Sequence, residues 1–452
     1  MKLEKIKRII SNDKIRAETI LEEKKYYEVG NDILKNGVRP KDQGKDPLRS
    51  ADNRIAHNFH QILVDEKASY MFTYPVIFDI ENDKKINSEV NKVLGDDFTR
   101  KSKNLCIEAS NVGCAWLHYW IKEDVEGKSK EFKYELVNTE EIIPIYDNGL
   151  ERVLNAVIRY YTVSEAAEDE IDDQVFSYIE YWTKDTMERW KFKDSYTGDE
   201  IVEEHEIIKH TLGNVPFIEF ANNSLKRSDL SKYKALNDLY DKVISGFAND
   251  LEDIQQIIYI LENYGGEDLG EFLGDLKRYK AIKTESDGAG GGGGVKTLQI
   301  EIPVEARKVI LEILKKQIYE SGQGLQQDVE SVGNASGVAL KFFYRKLELK
   351  SGLLETEFNS SYNKLIRAIL KFLSINENKK ISQTWTRNMI SNDLETAQIA
   401  QMSLGVIPEK FIYKNHPWID DPEEAERLMK EETEKRLNEY NNIIPGGAKG
   451  EE

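Results

Sequence analysis

Two glycine-containing stretches have residue types and spacing that could bind phosphate. Residues 288–294 satisfy the G-x-G-x-x-G pattern of dinucleotide-binding loops. Such a loop needs a following helix whose N-terminus holds the phosphates, whereas this run leads into the strand-like sequence VKTLQIEI. The triplet Gly127-Lys128-Ser129 matches the end of a phosphate-binding loop, but Lys122 stands where that loop needs its first glycine. We therefore expect a flexible loop tip and a hairpin turn at these positions, and no nucleotide site.

The histidines and cysteines do not form a set of ligands that would hold a metal. The histidines are scattered along the chain, at His57, His60, His118, His205, His210 and His416. A zinc site needs a closed group of nitrogen and sulfur ligands at usable spacing, which this scatter does not supply. The G-x-S-x-G pattern of a nucleophilic serine is also missing from the sequence. The sequence therefore predicts no metal, no cofactor and no catalytic residue.

The composition indicates a globular protein and restricts its partners. The chain has 452 residues with 40% hydrophobic content, and 63 basic against 81 acidic residues give it a net charge of -18. That charge argues against a protein that grips nucleic acid by covering its phosphates, although it allows one through which nucleic acid passes. Two cysteines, Cys106 and Cys114, are too few for a disulfide framework and favour a reducing compartment. We expect no signal peptide and no membrane span.

The elements that must position the polar residues alternate between helical and strand-rich stretches. Apolar residues at steps of three and four predict helices over residues 2–33, 53–72, 86–94, 97–112, 231–264, 304–320, 393–404 and 422–440. Between residues 115 and 220 the chain is rich in β-branched and aromatic segments that turn signals separate. This stretch predicts an antiparallel β unit, so the fold class is α+β.

One further helix is unusually long. Residues 337–373 carry apolar residues at steps of three, four or seven without an interrupting proline, namely Leu340, Phe343, Leu347, Leu354, Phe358, Tyr362, Leu365, Ile369 and Leu373. At about 1.5 Å per residue this helix would span roughly 55 Å, which exceeds the width of an ordinary domain. Such a helix is either a coiled-coil arm or a strut in a large assembly.

Four segments, taken in order, resemble the portal proteins of tailed bacteriophages, in particular the subfamily typical of long-tailed phages of Gram-positive hosts. They are GNVPFIEFANN from Gly213, DLYDKVISGFANDLED from Asp238, GNASGVALKFFYRKLELK from Gly333 and LGVIPEKFIYKNHPWIDDPEEAERL from Leu404. The resemblance implies a portal fold that assembles as a ring, usually of twelve subunits, at one vertex of the capsid. Double-stranded DNA would be packaged through the ring by the terminase motor and later ejected through it.

The resemblance also implies a division of the chain into the parts of a portal subunit. In sequence order these are a wing (1–230), a first stem helix (231–264), a clip (265–303), a second stem helix (304–320), a tunnel loop (321–336), a long spine helix (337–376), a wing return (377–405), and a crown with the tail (406–452). The run of glycines at 288–294 departs from what the family leads us to expect in a clip.

The resemblance further implies roles for individual residues. The tunnel loop would contact DNA through Gln323, Gln326, Gln327, Asp328, Val329, Glu330 and Ser331, and the loop would join the spine helix at a hinge of Ser336 and Gly337. Lys341, Arg345 and Lys346 are candidate channel cations, with an exposed helix face as the equal alternative. The clip residues expected to dock partners are Glu267, Asp268, Lys277, Arg278 and Lys296.

The implied partners are further copies of the chain, double-stranded DNA, the terminase large subunit, a head-tail adaptor, and the major capsid and scaffolding proteins, without a membrane. The expected location is the virion, after assembly in the host cytoplasm. A coiled-coil scaffold or adaptor, in which the helix of residues 337–373 pairs with itself, is the alternative from another class. An unrecognised hydrolase is a third hypothesis, and it predicts nucleotide turnover or nuclease activity.

Overall fold

The structure is a computed structural model that describes most of the chain. The described residues are 1–36, 51–123, 130–165, 174–193, 202–254, 258–262, 286–287, 291–292, 294–298, 302–325, 337–388, 393–414, 419 and 422–443. Two compact units divide the chain, one of residues 1–326 with 350–386, and one of residues 327–349 with 387–452. The mixture of helices and antiparallel strands confirms the predicted α+β class.

The first unit begins with three helices, where the sequence predicted two. Helices α1 (Leu3–Tyr27) and α2 (Asp32–Asn36) replace the single helix expected over residues 2–33. They separate because Val29 adopts a left-handed φ of 62°, and the N–H of Gly30 closes the end of α1 on the Lys25 carbonyl at 2.6 Å. Helix α3 (Phe59–Phe72) begins six residues later than the predicted residue 53.

Two further helices complete the helical part of this unit. Asp83 caps α4 (Lys84–Leu94) by accepting from the backbone N–H groups of Lys85 and Ile86, which have no partner within the helix. Helix α5 (Phe98–Val112) ends at Gly113, whose φ is 89°. A side chain at Gly113 would also meet the Lys226 carbonyl oxygen at 2.2 Å, so both conformation and space require glycine there.

The β-rich part consists of antiparallel sheets. Strand β1 (Ile77–Ile80) precedes α4, and the strands after α5 are β2 (Cys114–Glu123), β3 (Lys130–Val137), β4 (Ile142–Tyr146), β5 (Leu154–Glu165), β6 (Gln174–Trp182), β7 (Thr186–Lys193), β8 (Val202–Lys209) and β9 (Phe217–Ala221). One sheet has the order β3-β2-β9, and the other is a five-stranded meander from β4 to β8. The antiparallel β unit predicted between residues 115 and 220 is therefore confirmed.

Strand β8 is the part of this sheet that the sequence did not predict. It lies at the edge of the meander and, among the described strands, pairs with β7 alone. Its neighbouring residues Ile207 and Ile208, whose side chains point to opposite faces, are 60% and 43% exposed, so this end of the strand is covered on neither face by the described residues. The first half of the strand is rich in glutamate, which is uncommon in strands, so this half has few of the β-branched and aromatic residues that predict one.

After the sheets the chain forms helix α6 (Lys234–Ile254), and the prediction of a helix to residue 264 was wrong at residues 258–262. Residues that were expected to continue the helix to 264 form strand β10 (Ile258–Glu262). That strand pairs antiparallel with β13 (Gly294–Leu298), and the short strands β11 (Ser286–Asp287) and β12 (Gly291–Gly292) pair with each other. The β-branched sequence IYILE favours this pairing over helix.

Two helices follow the insertion. Helix α7 (Val304–Gly322) extends two residues past the predicted end at residue 320. Helix α8 (Gly337–Phe372) matches the predicted long helix to within one residue and, at about 1.5 Å per residue, spans roughly 54 Å. Strand β14 (Ile381–Thr384) then returns to pair with β1.

The largest apolar core lies beneath the second half of α8. Leu354, Phe358, Tyr362, Leu365 and Ile369 are fully buried there. They pack with apolar residues of α3, α4, α5 and the three-stranded sheet. The predicted apolar stripe is therefore confirmed in this half of the helix, where it faces the core of its own unit.

The second unit contains the remaining helices. These are α9 (Asp393–Ser403), α10 (Glu409–Lys414) and α11 (Pro422–Ile443). Helices α10 and α11 pack against each other. The ends predicted for the helices at 393–404 and 422–440 are correct to within three residues.

Candidate functional site: a helix pair and the root of a loop

Helices α6 and α7 form an antiparallel pair. The Arg307 guanidinium near the start of α7 binds the carboxylate of Asp250 near the end of α6 and lies over the ring of Phe247, 5.3 Å from its centroid. At the other end of the pair, Ile318 of α7 packs in a cluster with Leu236 of α6. The chain therefore enters α6 and leaves α7 at the same end of the pair.

One face of α6 holds a segment that has no regular secondary structure. Side chains at every fourth position of the helix accept N–H groups from every second residue of segment 51–57. The pairs are Asp241 with His57 at 3.1 Å, Ser245 with Ile55 at 2.9 Å, Asn249 with Asn53 at 2.5 Å and Asp253 with Ala51 at 3.0 Å. Four helical residues rise about 6 Å and two extended residues about 6.6 Å, so the two spacings match. These bonds explain why residues 53–58 are not helical.

The end of α7 is closed by a left-handed residue. Gln323 has a φ of 55°, and the N–H of Gly324 donates to the Tyr319 carbonyl at 3.0 Å. The next N–H, that of Leu325, donates to the Glu66 carboxylate of α3, with its nitrogen 3.0 and 3.2 Å from the two oxygens. The chain is thus held against α3 immediately after the helix ends.

Two glycines of this turn lie in close contact with α3. A Cβ on Gly322 would lie 2.6 Å from a methyl group of Leu63, and a Cβ on Gly324 would lie 2.2 Å from the other methyl. Both glycines are buried. Gln323 therefore adopts the left-handed conformation, at a modest conformational cost. The two glycines, which have no side chain, allow the backbone of the turn to lie against Leu63.

A buried cluster of charges lies beside this turn. Lys67 of α3 donates to Asn222 at 2.5 Å and to Ser110 at 3.0 Å, and its ammonium lies 3.1 Å from Asp229 Oδ2. Lys350 of α8 approaches the same oxygen at 3.2 Å. Lys67 and Lys350 are 1% and 2% exposed, so both lysines are held inside the unit.

Lys350 also contacts the helix end directly. Its ammonium donates to the Gly322 carbonyl at 3.0 Å. The last carbonyls of a helix lack partners within the helix, and the helix dipole makes a cation favourable there. Asp229 precedes α6, so Lys350 binds the chain both before α6 begins and where α7 ends.

Burial controls the protonation of the groups around the cluster. Burial raises the pKa of Asp229, but the ammoniums of Lys350 and Lys67 outweigh it and hold that pKa well below its usual value. Burial lowers the pKa of His60, which is bonded to the Tyr233 hydroxyl at 2.7 Å, to about 4. Burial also raises the pKa of Glu66, and the N–H of Leu325 opposes this rise.

Neither a metal site nor a membrane span is found among the described residues. Among them, no three His, Cys, Asp or Glu side chains gather closely enough to hold a metal ion. None of the helices in the described part of the chain is long and apolar enough to cross a membrane. Cys106 and Cys114 are free thiols, and burial raises the pKa of Cys106 to about 11.

A comparison with known protein families decides what kind of protein has this arrangement. Residues 6–438 match the family described as phage portal protein, SPP1 Gp6-like. The chain belongs to this family of phage portal proteins. The resemblance inferred from the four sequence segments is therefore confirmed.

Individual portal proteins match over nearly the full chain. The portal protein of Clostridium phage phiCD119 is 63% identical over 451 residues, which cover 98% of this chain and 100% of that protein. The portal protein of Bacillus phage SPP1 is 30% identical, covering 95% of this chain and 85% of that protein. Among solved structures, the neck of an empty GTA particle computed with C6 symmetry aligns at a TM-score of 0.41 and 11% identity, covering 78% of this chain and 86% of that one. That likeness adds nothing to the family assignment.

The structure places only some of the residues predicted from the portal resemblance. Gln323 lies at the end of α7, and Gly337 is the first residue of α8. Arg345 and Lys346 are exposed on α8, and the Arg345 guanidinium lies 6.0 Å from the centroid of the Phe342 ring. The side chains of Lys341 and Lys296 lie outside the described part, as do Gln326, Gln327, Asp328, Val329, Glu330, Ser331, Ser336, Glu267, Asp268, Lys277 and Arg278.

Sequence reasoning missed the residues that hold the loop root, which is the segment of residues 322–325 at the end of α7. Lys67, Lys350 and Glu66 are charged residues on helices, which a sequence pattern assigns to solvent. Lys350 carries a usable signal, because it follows Leu347 and precedes Leu354 at steps of three and four within the apolar stripe.

Proposed function

We propose that this phage portal protein assembles into a ring of twelve subunits whose central channel conducts double-stranded DNA during packaging and ejection. In this proposal α6 and α7 are stem helices beside the channel, and α8 is the spine helix. The segment between α7 and α8 is the tunnel loop. The subunit is a component of the virion at one capsid vertex, after assembly in the host cytoplasm.

The single observation that supports these roles is the path of the chain from α7 through the loop root into α8. The antiparallel pair α6 and α7 ends at the root of residues 322–325, which is fixed to α3 and to Lys350. The chain then starts the long helix α8 at Gly337. A fixed root gives the loop a defined position on the subunit at its α7 end, which suits a loop that is to line a channel.

The charge of the chain suits a conduit. The net charge of -18 opposes tight binding of DNA, because every phosphate that a fixed cation neutralises adds affinity that would hold the polymer back. The polar and acidic residues of segment 326–331 fit brief contacts with sliding DNA. Lys341, Arg345 and Lys346 would add a weak ring of cations.

The proposal also covers partners and activity. The insertion between α6 and α7 would act as the clip that docks the terminase large subunit and later the head-tail adaptor, through Glu267, Asp268, Lys277, Arg278 and Lys296. Capsid and scaffolding proteins would surround the wing. The protein itself hydrolyses no nucleotide in this proposal, and the terminase supplies the energy.

The packing of α8 disfavours the coiled-coil scaffold as an alternative. A self-pairing helix needs its apolar stripe free for a partner helix. In this chain Leu354, Phe358 and Tyr362 are fully buried in the core of their own unit, so that half of the helix has no free apolar stripe.

Complementation of a phage that lacks its own portal gene tests the proposal. We expect the wild-type chain to restore DNA-filled capsids. Gly337→Val, which stiffens the backbone where the loop meets α8, should leave rings intact and abolish packaging. Gly352→Val provides a matched control within the same helix, where a Cβ meets no atom within 4 Å. Loss of rings in Gly337→Val, or packaging equal to that of the control, would contradict the assigned role.

A further inference from the structure

We infer that Lys350 and Glu66 are positioning residues that clamp the root of the tunnel loop, and that Lys350 ties the start of α6 and the end of α7, which lie at one end of the pair, to the spine helix. This inference rests on the proposed function. To that function it adds the residues that hold the root of the loop and the helices to which they fix it.

The first point of the clamp is the Gly322 carbonyl. Lys350 Nζ donates to it at 3.0 Å from the interior of α8, 2% exposed. A buried ammonium is costly unless it is paired, and Asp229 Oδ2 at 3.2 Å provides the opposite charge. Lys67 also pairs with Asp229, so this carboxylate would keep a cation beside it without Lys350. Its specific contribution is the bond to the helix end.

The second point of the clamp is the Leu325 N–H. Glu66 accepts it with both carboxylate oxygens, three residues beyond the Gly322 carbonyl. Between the two points, Gly322 and Gly324 lie against Leu63, and a Cβ at either position would overlap it. Two polar bonds and this close contact therefore fix residues 322–325 to α3 and α8.

The clamp has a mechanical consequence. Lys350 lies in the middle of α8, and its two contacts are Asp229, just before α6, and Gly322, the last residue of α7. A displacement of α8 along its axis would therefore move the entry and the exit of the helix pair together. The root of the loop, residues 322–325, would then move with α8.

Hydrogen–deuterium exchange on assembled full-length rings tests the clamp. In Lys350→Met we expect the backbone amides of residues 322–325 to exchange faster by about tenfold or more, the change expected for loss of a bond from a charged donor. Lys67→Met is the matched control, because it also removes a buried partner of Asp229 but leaves the Lys350 bond to Gly322 in place. Lys364→Met, at an exposed position of the same helix, controls for the substitution itself.

Glu66 gives an independent test if Lys350→Met does not fold. We expect Glu66→Leu to raise exchange at Leu325, and Glu66→Gln, which keeps an acceptor oxygen, to restore most of the protection. Equal exchange of residues 322–325 in Lys350→Met and Lys67→Met would overturn the role of Lys350, and wild-type exchange in Glu66→Leu would overturn that of Glu66. Failure of wild-type rings to conduct DNA would instead contradict the proposed function, because the exchange measurement needs no DNA.

Discussion

Helix α8 contributes to two buried regions that are held together by different forces. From Leu354 to Ile369 it supplies apolar side chains to the largest core of the first unit. One turn earlier, Lys350 enters a polar cluster with Lys67 and Asp229. The apolar core gains stability from area removed from water, which tolerates many packings, whereas the polar cluster is favourable only when every partner is in place. The core therefore supplies most of the stability, and the cluster fixes which chain segments meet.

The largest effect should follow from emptying the apolar core. Phe358 is fully buried among aromatic rings, including those of Phe220 and Tyr362. We expect Phe358→Ala to lower the free energy of unfolding by about 3–5 kcal/mol, through lost burial and the cavity that remains. Leu353→Ala, at a side chain 58% exposed on the same helix, should change it far less. Denaturant titration of both variants measures the difference, and equal losses would contradict the location of the core.

Removing one member of the polar cluster should cost about as much. Asp229→Leu leaves the ammoniums of Lys67 and Lys350 buried without their carboxylate, which we expect to cost about 3–5 kcal/mol. Replacing all three residues, as Lys67→Met, Asp229→Leu and Lys350→Met together, should recover most of that loss because no charge is left buried. The same titration checks both variants. A triple variant less stable than Asp229→Leu would show that the cluster itself supplies net stability.

Acid should weaken the fold through buried histidines. Burial lowers the pKa values of both His60 and His118 to about 4, so both are neutral in the folded chain. The contribution of each histidine to the free energy of unfolding is complete above the ordinary histidine pKa of about 6.5. It is lost as the pH falls from there to about 4, by at most about 3 kcal/mol for each residue. His60→Gln should flatten this part of the pH profile of unfolding. An unchanged profile in His60→Gln would rule out a neutral buried His60.

The smallest effects should distinguish two glycines. Gly324→Ala places a methyl group against Leu63, and we expect a loss of about 1–3 kcal/mol from overpacking. Gly352→Ala meets no atom within 4 Å inside α8 and should stabilise the chain by about 1 kcal/mol or less. Melting temperatures should therefore shift in opposite directions. Shifts of the same sign would mean that the loop root is not packed against α3.

The elements that the sequence predicted well are those in which one apolar period extends over many residues. The long helix was predicted to within one residue, since its stripe is continuous from Leu354 to Ile369. Strand β8 was missed because its residues are mostly polar and lie at an edge. The end of α6 was misplaced because IYILE suits both a helix and a strand, and its pairing partner lies more than thirty residues away.

The loop root was unpredictable for a different reason. Whether a lysine on a helix faces water or a carboxylate depends on which segments the fold brings together. Lys67, Asp229 and Lys350 are far apart in sequence, and their meeting depends on the packing of α3, α5 and α8. Nothing in the sequence GQG indicates that its two glycines lie against the Leu63 side chain.

Electron microscopy of the purified full-length chain, with the subunits counted from the mass of the assembled particle, tests the central claim most directly. We expect closed rings around an open channel wide enough for double-stranded DNA, with the loop between α7 and α8 at its narrowest point. Monomers or dimers at high protein concentration, or rings in which that loop lies on the outer surface, would contradict the account.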